Sequence, residues 1–317
     1  MMSSQSHSLR GYFYIAAAAL CWGISASMGR AVFTGKLGPA AGPRIDPLIL
    51  AQSRTTLSLL VLAPILWLRR GARGLSVAGR DLWFCVTLGV LGVAGSNYFY
   101  YLAIQRTNVA TAIILQYTAP IWVLLYMLVR GRQQATWRRI GSVALVVAGS
   151  VLAVGVGTSG FKRDAMGIVA GALAALTFSY YSIGGQEVLK RYDRWRVLLS
   201  VLLGAAAFWQ FLNPPWKIAA LHYTGAQWAF LAAFAVTSVL LPFSLYFGGL
   251  QYLDATRAVV TSCLEPVFSI AIAALALGEW VGPVQVAGIV VVLAATILVQ
   301  MPDSIARQAM PAVEPIE

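Results

Sequence analysis

The chain has 317 residues, of which 59% are hydrophobic and only 11% are charged, and its mean hydropathy is +0.74. Soluble domains carry about a quarter charged residues and have no place for so much apolar surface, so this composition excludes a soluble protein and indicates a membrane protein. The net charge of +12 would suggest nucleic-acid binding in a soluble domain, but here the basic residues lie between apolar segments, which indicates membrane topology instead.

Ten apolar segments are each long enough to cross a bilayer, since a spanning helix needs about 20 mostly apolar residues. In chain order, predicted helices 1 to 10 cover residues 11–33, 48–68, 82–104, 108–129, 138–157, 166–188, 196–213, 227–250, 255–277 and 282–301. The first segment is kept as a helix because no clean signal-peptide cleavage site follows it. The sequence therefore predicts an all-α membrane protein with ten transmembrane helices.

Lysine and arginine residues are distributed unevenly between the connections. If the N-terminus lies inside, the inside connections carry roughly twice as many basic residues as the outside connections. Because such an excess marks the cytoplasmic side, the sequence predicts that both termini are cytoplasmic. The predicted location is the bacterial inner membrane, which the chain crosses several times.

Two stretches of the sequence repeat each other. Residues 100–120 read YYLAIQRTNVATAIILQYTAP and residues 246–266 read YFGGLQYLDATRAVVTSCLEP, so that Pro120 aligns with Pro266. Predicted helices 1 and 6 align as well, and so do predicted helices 5 and 10. Each half then has five crossings, an odd number, so the two halves must insert with opposite orientation. Such inverted repeats are typical of transporters, whose substrate site lies near the midplane between the halves.

Three segments resemble the EamA-type branch of the drug/metabolite transporter superfamily: ALCWGISASMGRAV in predicted helix 1, ATAIILQYTAPIWVLL in predicted helix 4 and TSCLEPVFSIAIAALALGE in predicted helix 9. The resemblance covers roughly residues 11–301, and within the branch it is greatest to the aromatic amino acid exporters. It implies a non-enzymatic carrier that exports its substrate from the cytoplasm. It also implies that the first four helices of each half surround a central cavity, with predicted helices 5 and 10 at the periphery.

The predicted domains follow from the repeat and the resemblance. Two inverted five-helix repeats cover residues 1–157 and 158–301, and a cytoplasmic tail covers residues 302–317. Predicted helix 4 departs from the family pattern, because Ala119 stands where predicted helix 9 has Glu265. Any acidic function is therefore predicted to reside in the second half only.

Two charged residues within the predicted helices, Glu265 and Arg54, have alternative interpretations. A charge deep in a membrane span costs several kcal/mol unless it is paired or protonated, so Glu265 is a candidate to bind a substrate ammonium group or a proton. Alternatively, its carboxyl group satisfies backbone N–H groups freed by Pro266. Arg54, near the start of predicted helix 2, either extends to the membrane interface or captures a substrate carboxylate with its forked guanidinium.

Aromatic and amide side chains within the spans complete the candidate site, because buried polar groups need partners and so face the bundle interior. The predicted substrate-binding residues are Trp22, Asn97, Tyr98, Tyr101, Gln116, Tyr117, Tyr180, Tyr181, Ser262 and Glu265. The aromatic rings would contact an amphipathic side chain, and Asn97, Gln116 and Glu265 would contact the polar groups of the substrate. Packing between helices is the alternative role for about half of the aromatic residues.

Export of aromatic or other neutral amino acids by alternating access is the predicted function. Exporters of other metabolites or drugs, such as nucleosides, sugars and toxic cations, remain alternatives, and a membrane-embedded sensor is a more distant one. A membrane-embedded enzyme is disfavoured because the two histidines, His7 and His222, both lie outside the predicted spans. No cofactor and no metal are predicted. The predicted partners are a small-molecule substrate and the lipid bilayer, with no nucleic acid, and the sequence does not decide between a monomer and a homodimer.

Overall fold

The computed structural model describes residues 2–33, 47–107, 109–154, 164–277 and 280–301. Within these ranges the chain contains ten helices that are long and apolar enough to cross a membrane, and no strand. The predicted all-α fold with ten transmembrane helices is therefore confirmed. The predicted C-terminal tail at 302–317 lies outside the described residues.

The ten spanning helices correspond one to one to the predicted helices. They are α1 (Met2–Phe33), α2 (Pro47–Gly74), α3 (Gly79–Arg106), α4 (Val109–Gln116 and Ala119–Val129), α5 (Trp137–Val154), α6 (Ala165–Leu189), α7 (Arg194–Leu212), α8 (Gly225–Leu250), α9 (Ala255–Ser262 and Glu265–Leu277) and α10 (Pro283–Gln300). Helix α1 begins earlier than predicted, because no proline or glycine interrupts the polar residues before Gly11. A short helix, Pro215–Ala219, was not predicted and lies in the connection between α7 and α8.

Polar side chains fix where several of the helices begin. Asp164 accepts a hydrogen bond from the backbone N–H of Gly167 at the start of α6, at 2.8 Å. Asp254 accepts one from the backbone N–H of Arg257 at the start of α9, at 2.9 Å. Such caps satisfy backbone donors that have no partner within the helix. The sequence thus sets the limits of the spans with polar caps and fills their interiors with apolar residues.

Helices α4 and α9 are each broken in the middle, at equivalent points of the two repeats. A turn at Tyr117–Thr118 interrupts α4 just before Pro120, and a turn at Cys263–Leu264 interrupts α9 just before Pro266. Proline has no N–H, so the carbonyl four residues earlier loses its helical donor. The structure therefore shows two separate helical segments within each of these spans.

Helices α3 and α8 also share an irregularity. A π-helical turn covers Leu88–Ala94 in α3 and Val236–Leu240 in α8, and these stretches are equivalent in the repeat. Wide turns of this kind are rare and occur often at functional sites. Packing follows the same symmetry, since α1 packs against α8 and α9, whereas α6 packs against α3 and α4. These shared features support the inverted repeat inferred from the sequence.

Glycines allow the closest approaches between the helices. A Cβ atom at Gly149 of α5 would lie 2.8 Å from the backbone nitrogen of Val292 in α10, so these two helices touch through their backbones. In the same way, a Cβ atom at Gly23 of α1 would lie 2.9 Å from the backbone nitrogen of Ser269, in the second segment of α9. Helix α1 is therefore packed directly on the helix that carries Glu265.

The two ends of the bundle differ. The arginine-rich end carries the connections α2–α3, α4–α5, α6–α7 and α8–α9, and the opposite, arginine-poor end carries the connections α3–α4 and α7–α8. Toward the arginine-rich end, Ser182 of α6 and Tyr246 of α8 share a hydrogen bond of 2.8 Å, and the rings of Tyr181 and Phe247 stack at 5.1 Å. Among the described side chains, no hydrogen bond or ring contact joins the equivalent helices α1 and α3 toward the arginine-poor end. The bundle centre is thus closed more tightly toward the arginine-rich end.

Candidate functional site

Glu265 lies at the break in α9. It is the first residue of the second segment, Glu265–Leu277, and lies near the middle of the span. Its side chain is half-buried, and its carboxylate forms no hydrogen bond or ion pair with the described residues. A carboxylate in the membrane interior without a direct partner is costly, which makes it available for a ligand or a proton.

Arg54 of α2 lies in the same region, close enough to Glu265 for the two charges to interact electrostatically. Its Nη2 atom donates a hydrogen bond to Oδ1 of Asn97 in α3. The Nε atom of Arg54 is buried and has no hydrogen-bond partner in the described structure. The guanidinium is therefore directed to the bundle interior, which favours the ligand-binding interpretation over extension to the membrane interface.

Asn97 is itself held in place by the irregular part of α3. Its Nδ2 atom donates a 2.7 Å hydrogen bond to the carbonyl oxygen of Val93, at the end of the π-helical turn. This bond consumes one donor and fixes the amide plane, so that Oδ1 is left to accept from Arg54. Asn97 is thus a fixed acceptor that orients the guanidinium.

The helix that carries Arg54 is anchored to the second half of the chain. Gln52 of α2 is fully buried, donates to the backbone oxygen of Asn213 at 2.6 Å and accepts from the Asn213 side chain at 2.7 Å. One turn beyond Arg54, Ser58 donates to the carbonyl oxygen of Ala235 in α8 at 3.0 Å. These bonds flank Arg54 on both sides and hold its position relative to α7 and α8.

Two tyrosine side chains lie in the same region as the two charges. Tyr100 lies near Glu265 and Arg54, and Tyr117, at the break in α4, lies near Glu265. The ring of Tyr101 lies 5.7 Å from that of Tyr100. We refer to Arg54, Asn97, Tyr100, Tyr117 and Glu265 as the charged pocket. Tyr100 was not among the predicted site residues, although its alignment with Tyr246 in the repeat marked it.

An aromatic cluster borders the charged pocket toward the arginine-rich end. The ring of Trp22 lies 5.5 Å from that of Phe243, 5.6 Å from that of Tyr246 and 6.4 Å from that of Phe178. Tyr181 belongs to the same cluster, is 1% exposed and stacks on Tyr246. Gly23 brings Trp22 up to the second segment of α9, so the cluster lies beside the helix that carries Glu265.

The structure distributes the predicted site residues over several places. Asn97, Tyr117 and Glu265 belong to the charged pocket, with Tyr101 beside it, whereas Trp22 and Tyr181 belong to the aromatic cluster. The Tyr180 hydroxyl lies 2.8 Å from that of Thr87, away from Tyr181, its neighbour in sequence.

The remaining three predicted residues have other surroundings. The Tyr98 ring packs on that of Phe208 in α7, at 6.4 Å. Ser262 is buried and donates to the carbonyl oxygen of Val259 in its own helix, at 2.8 Å. Gln116 is half-buried and forms no hydrogen bond within the described structure. No group of three or more His, Cys, Asp or Glu side chains that could hold a metal ion lies in the described parts of the chain.

Ten spanning helices with charged, amide and aromatic groups at their centre define a multi-pass membrane protein. The chain belongs to the EamA-like transporter family, whose model matches residues 9–155 and again residues 165–301. It is therefore a membrane transporter. The aromatic amino acid exporter branch stays a prediction, because the comparisons support the family and not this branch.

Two related proteins and one solved structure agree with this assignment. An uncharacterized transporter of Archaeoglobus fulgidus is 28% identical over 252 residues, which cover 74% of this chain and 81% of that protein. The threonine/homoserine exporter RhtA of Escherichia coli K12 is 26% identical over 68% of both chains. A crystal structure of a protein with 19% sequence identity superposes with a TM-score of 0.73 and covers 93% of this chain and 98% of its own, which shows a shared fold.

Proposed function

We propose that the protein exports neutral amino acids, aromatic ones among them, across the bacterial inner membrane. The observation that carries the proposal is the Glu265 carboxylate, which has no direct partner in the described structure and lies at a helix break beside the aromatic cluster. A carboxylate in this position suits a substrate ammonium group, and adjacent rings suit an apolar or amphipathic side chain. The similarity to a threonine/homoserine exporter supports amino acids as the substrate class.

The predicted site residues take two kinds of role in this proposal. Trp22 and Tyr181, together with Tyr98, Tyr101 and Tyr180, contact the side chain of the substrate in one state of the transport cycle or another. Gln116, Tyr117, Ser262 and Glu265 contact its polar groups, and Asn97 positions Arg54 beside them. Because broken helices leave backbone groups free at the centre of the membrane, the breaks in α4 and α9 support a site at this depth.

The predicted topology sets which side of the membrane each end of the bundle faces. With both termini in the cytoplasm, the arginine-rich end faces the cytoplasm. The aromatic contacts between α6 and α8 then close the pocket toward the cytoplasm. Substrate entry from that side requires the Ser182–Tyr246 hydrogen bond and the Tyr181–Phe247 stack to separate, while α1 and α3 approach each other at the opposite end.

The test is flux in proteoliposomes, measured with labelled phenylalanine and labelled threonine. We expect saturable flux that unlabelled neutral amino acids inhibit, and we expect Glu265→Gln to lower it at least about tenfold, because the amide cannot pair with an ammonium group. Glu187→Gln is the matched control, since Glu187 forms ion pairs with Arg132 and Lys190 at the arginine-rich end. Its flux should equal that of the wild type.

Two results would contradict the proposal. Absence of flux for every amino acid, with folded protein in the membrane, would exclude amino acids as the substrate class. Flux that nucleosides, sugars or toxic cations inhibit and amino acids do not would assign the pocket to another substrate.

A further inference from the structure

The guanidinium of Arg54 has unused binding capacity in the described structure. It offers five N–H donors in one plane, of which Nη2 bonds to Asn97 while Nε is buried without a partner. No carboxylate of the described residues forms an ion pair with it. A planar donor group with free parallel N–H bonds matches a carboxylate, which accepts two such bonds at once.

Asn97 is the wrong partner to neutralise Arg54 but a suitable one to orient it. An amide oxygen accepts a hydrogen bond without removing the positive charge, and the bond from Nδ2 to Val93 keeps this oxygen directed at Arg54. Gln52 and Ser58 hold the α2 backbone on either side. These hydrogen bonds fix the guanidinium of Arg54 at one position of the charged pocket and leave its positive charge without a counter-charge in direct contact.

Glu265 supplies the opposite charge from another helix. The Glu265 carboxylate and the Arg54 guanidinium lie near each other but form no ion pair. Each charge is expensive to keep in the membrane interior without a partner. A ligand that carries both a carboxylate and an ammonium group neutralises both residues at once, which a simple amine or a simple acid does not.

We infer that Arg54 binds the α-carboxylate of the transported amino acid while Glu265 binds its ammonium group, with Asn97 as the positioning residue for Arg54. This inference rests on the proposed function and narrows it, because the substrate must carry both charged groups on one end. Amines, amino acid amides and deaminated acids are then poor ligands, whatever their side chain. The aromatic cluster contacts the side chain of the substrate, so the protein selects this side chain less strictly than the two charged groups.

The experiment measures inhibition of labelled amino acid flux by three unlabelled ligands. These are the amino acid that the wild type transports faster, phenylalanine or threonine, its carboxamide, and the corresponding acid without the amino group. Wild type should bind the amino acid at least about tenfold more tightly than either analogue, since each analogue leaves one buried charge unpaired. Purified protein in detergent is used for the same three affinities, so that variants without flux remain measurable.

Substitutions then remove one charge at a time. Arg54→Gln should weaken binding of the amino acid at least about tenfold and change the affinity for the carboxamide less than about twofold. Glu265→Gln should weaken binding of the amino acid to the same extent and change the affinity for the deaminated acid less than about twofold. Retained binding of the insensitive ligand shows that the variant is folded. Arg130→Gln, which removes a guanidinium exposed at the arginine-rich end, is the matched control and should bind all three ligands like the wild type.

Asn97→Asp tests the positioning role with a readout that loss of structure would not produce. A carboxylate at this place pairs with Arg54 and competes with the substrate carboxylate, so affinity for the amino acid should fall while affinity for the carboxamide stays. Equal affinities of the wild type for the amino acid and its carboxamide would overturn the inference and leave amino acid export intact. An equal loss of affinity for the amino acid and its carboxamide in Arg54→Gln would also overturn the inference and leave amino acid export intact. Absence of any amino acid binding would instead overturn the proposed function.

Discussion

Helices α4 and α9 occupy equivalent places in the two halves, and both are broken two residues before a proline, yet their surroundings differ. At the break in α4, Ala119 is 2% exposed, and its carbonyl oxygen accepts a 3.1 Å hydrogen bond from Ser179 of α6. At the break in α9, the equivalent residue is Glu265, which is half-buried and has no direct partner among the described residues. The break in α4 carries no charge and is hydrogen-bonded to a neighbouring helix, and the break in α9 presents a charge.

This difference separates the cause of the break from the role of the acid. Because α4 breaks at the same point without an acidic residue, the carboxylate of Glu265 is not needed to form the break, and the prolines explain both. The neighbouring helices differ accordingly. Where α6 offers the Ser179 hydroxyl to α4, α1 offers Gly23, which lies flat against Phe268 and Ser269 of α9. At the position equivalent to Glu265, the first half thus uses Ala119 for packing, and the second half places a charge there.

The largest effect is expected from a charge placed at the closed break. Ala119→Glu should destabilise the fold by about 3 kcal/mol, because the new carboxylate would be buried without a partner. Glu265→Ala should leave stability equal to that of the wild type or increase it, since it removes such a charge. Thermal unfolding in detergent, followed by tryptophan fluorescence, measures both.

Charge and size are distinguished by a second variant at the same position. Ala119→Gln adds the same volume as Ala119→Glu without the charge. The difference between the unfolding midpoints of the two variants therefore reports the cost of burying the charge alone. Equal midpoints for Ala119→Glu and the wild type would show that the two breaks are equivalent environments and that the distinction between them is wrong.

A smaller effect is expected where α1 meets the broken α9. A Cβ atom at Gly23 would lie 2.9 Å from both the Phe268 Cβ atom and the Ser269 backbone nitrogen, so Gly23→Ala forces the helices apart and should cost roughly 1–3 kcal/mol. It should also lower flux, because the second segment of α9 moves with Glu265. Gly141→Ala is the matched control, since its Cβ atom would meet only Leu298, at 3.5 Å. If both variants unfold at the same temperature, the close contact of α1 at Gly23 does not stabilise the broken helix α9.

The sequence predicts the spans well and their irregularities poorly, for physical reasons. A run of about 20 apolar residues has one stable arrangement in lipid, so helices α2 and α10 could be placed from composition alone. A proline in such a run does not tell a bend from a break. Pro64 lies inside α2, which continues past it, whereas Pro266 follows a complete interruption of α9. The π-helical turns have no sequence signature that we could use.

The sequence singled out Asn97, Tyr117 and Glu265 of the charged pocket as site candidates, but it did not indicate how they are arranged with Arg54 and Tyr100. Glu265 stands out because it is an acid in an apolar run. The contact between Arg54 and Asn97 joins residues on different helices, and neither sequence spacing nor hydropathy indicates it. Tyr180 and Tyr181 are neighbours in sequence, but successive side chains on a helix point about 100° apart, so one meets Thr87 and the other the aromatic cluster.

The smallest effect concerns the hydrogen bond that closes the break in α4. Ser179→Ala removes the bond to the Ala119 carbonyl oxygen and should cost about 1 kcal/mol, as for an ordinary buried hydrogen bond. Ser200→Ala is the matched control, because the Ser200 hydroxyl bonds only to a carbonyl oxygen of its own helix, that of Arg196. Thermal unfolding of the two variants side by side measures the difference. If they unfold alike, the hydroxyl does not stabilise the closed break, and the two breaks then differ in the charge of Glu265 alone.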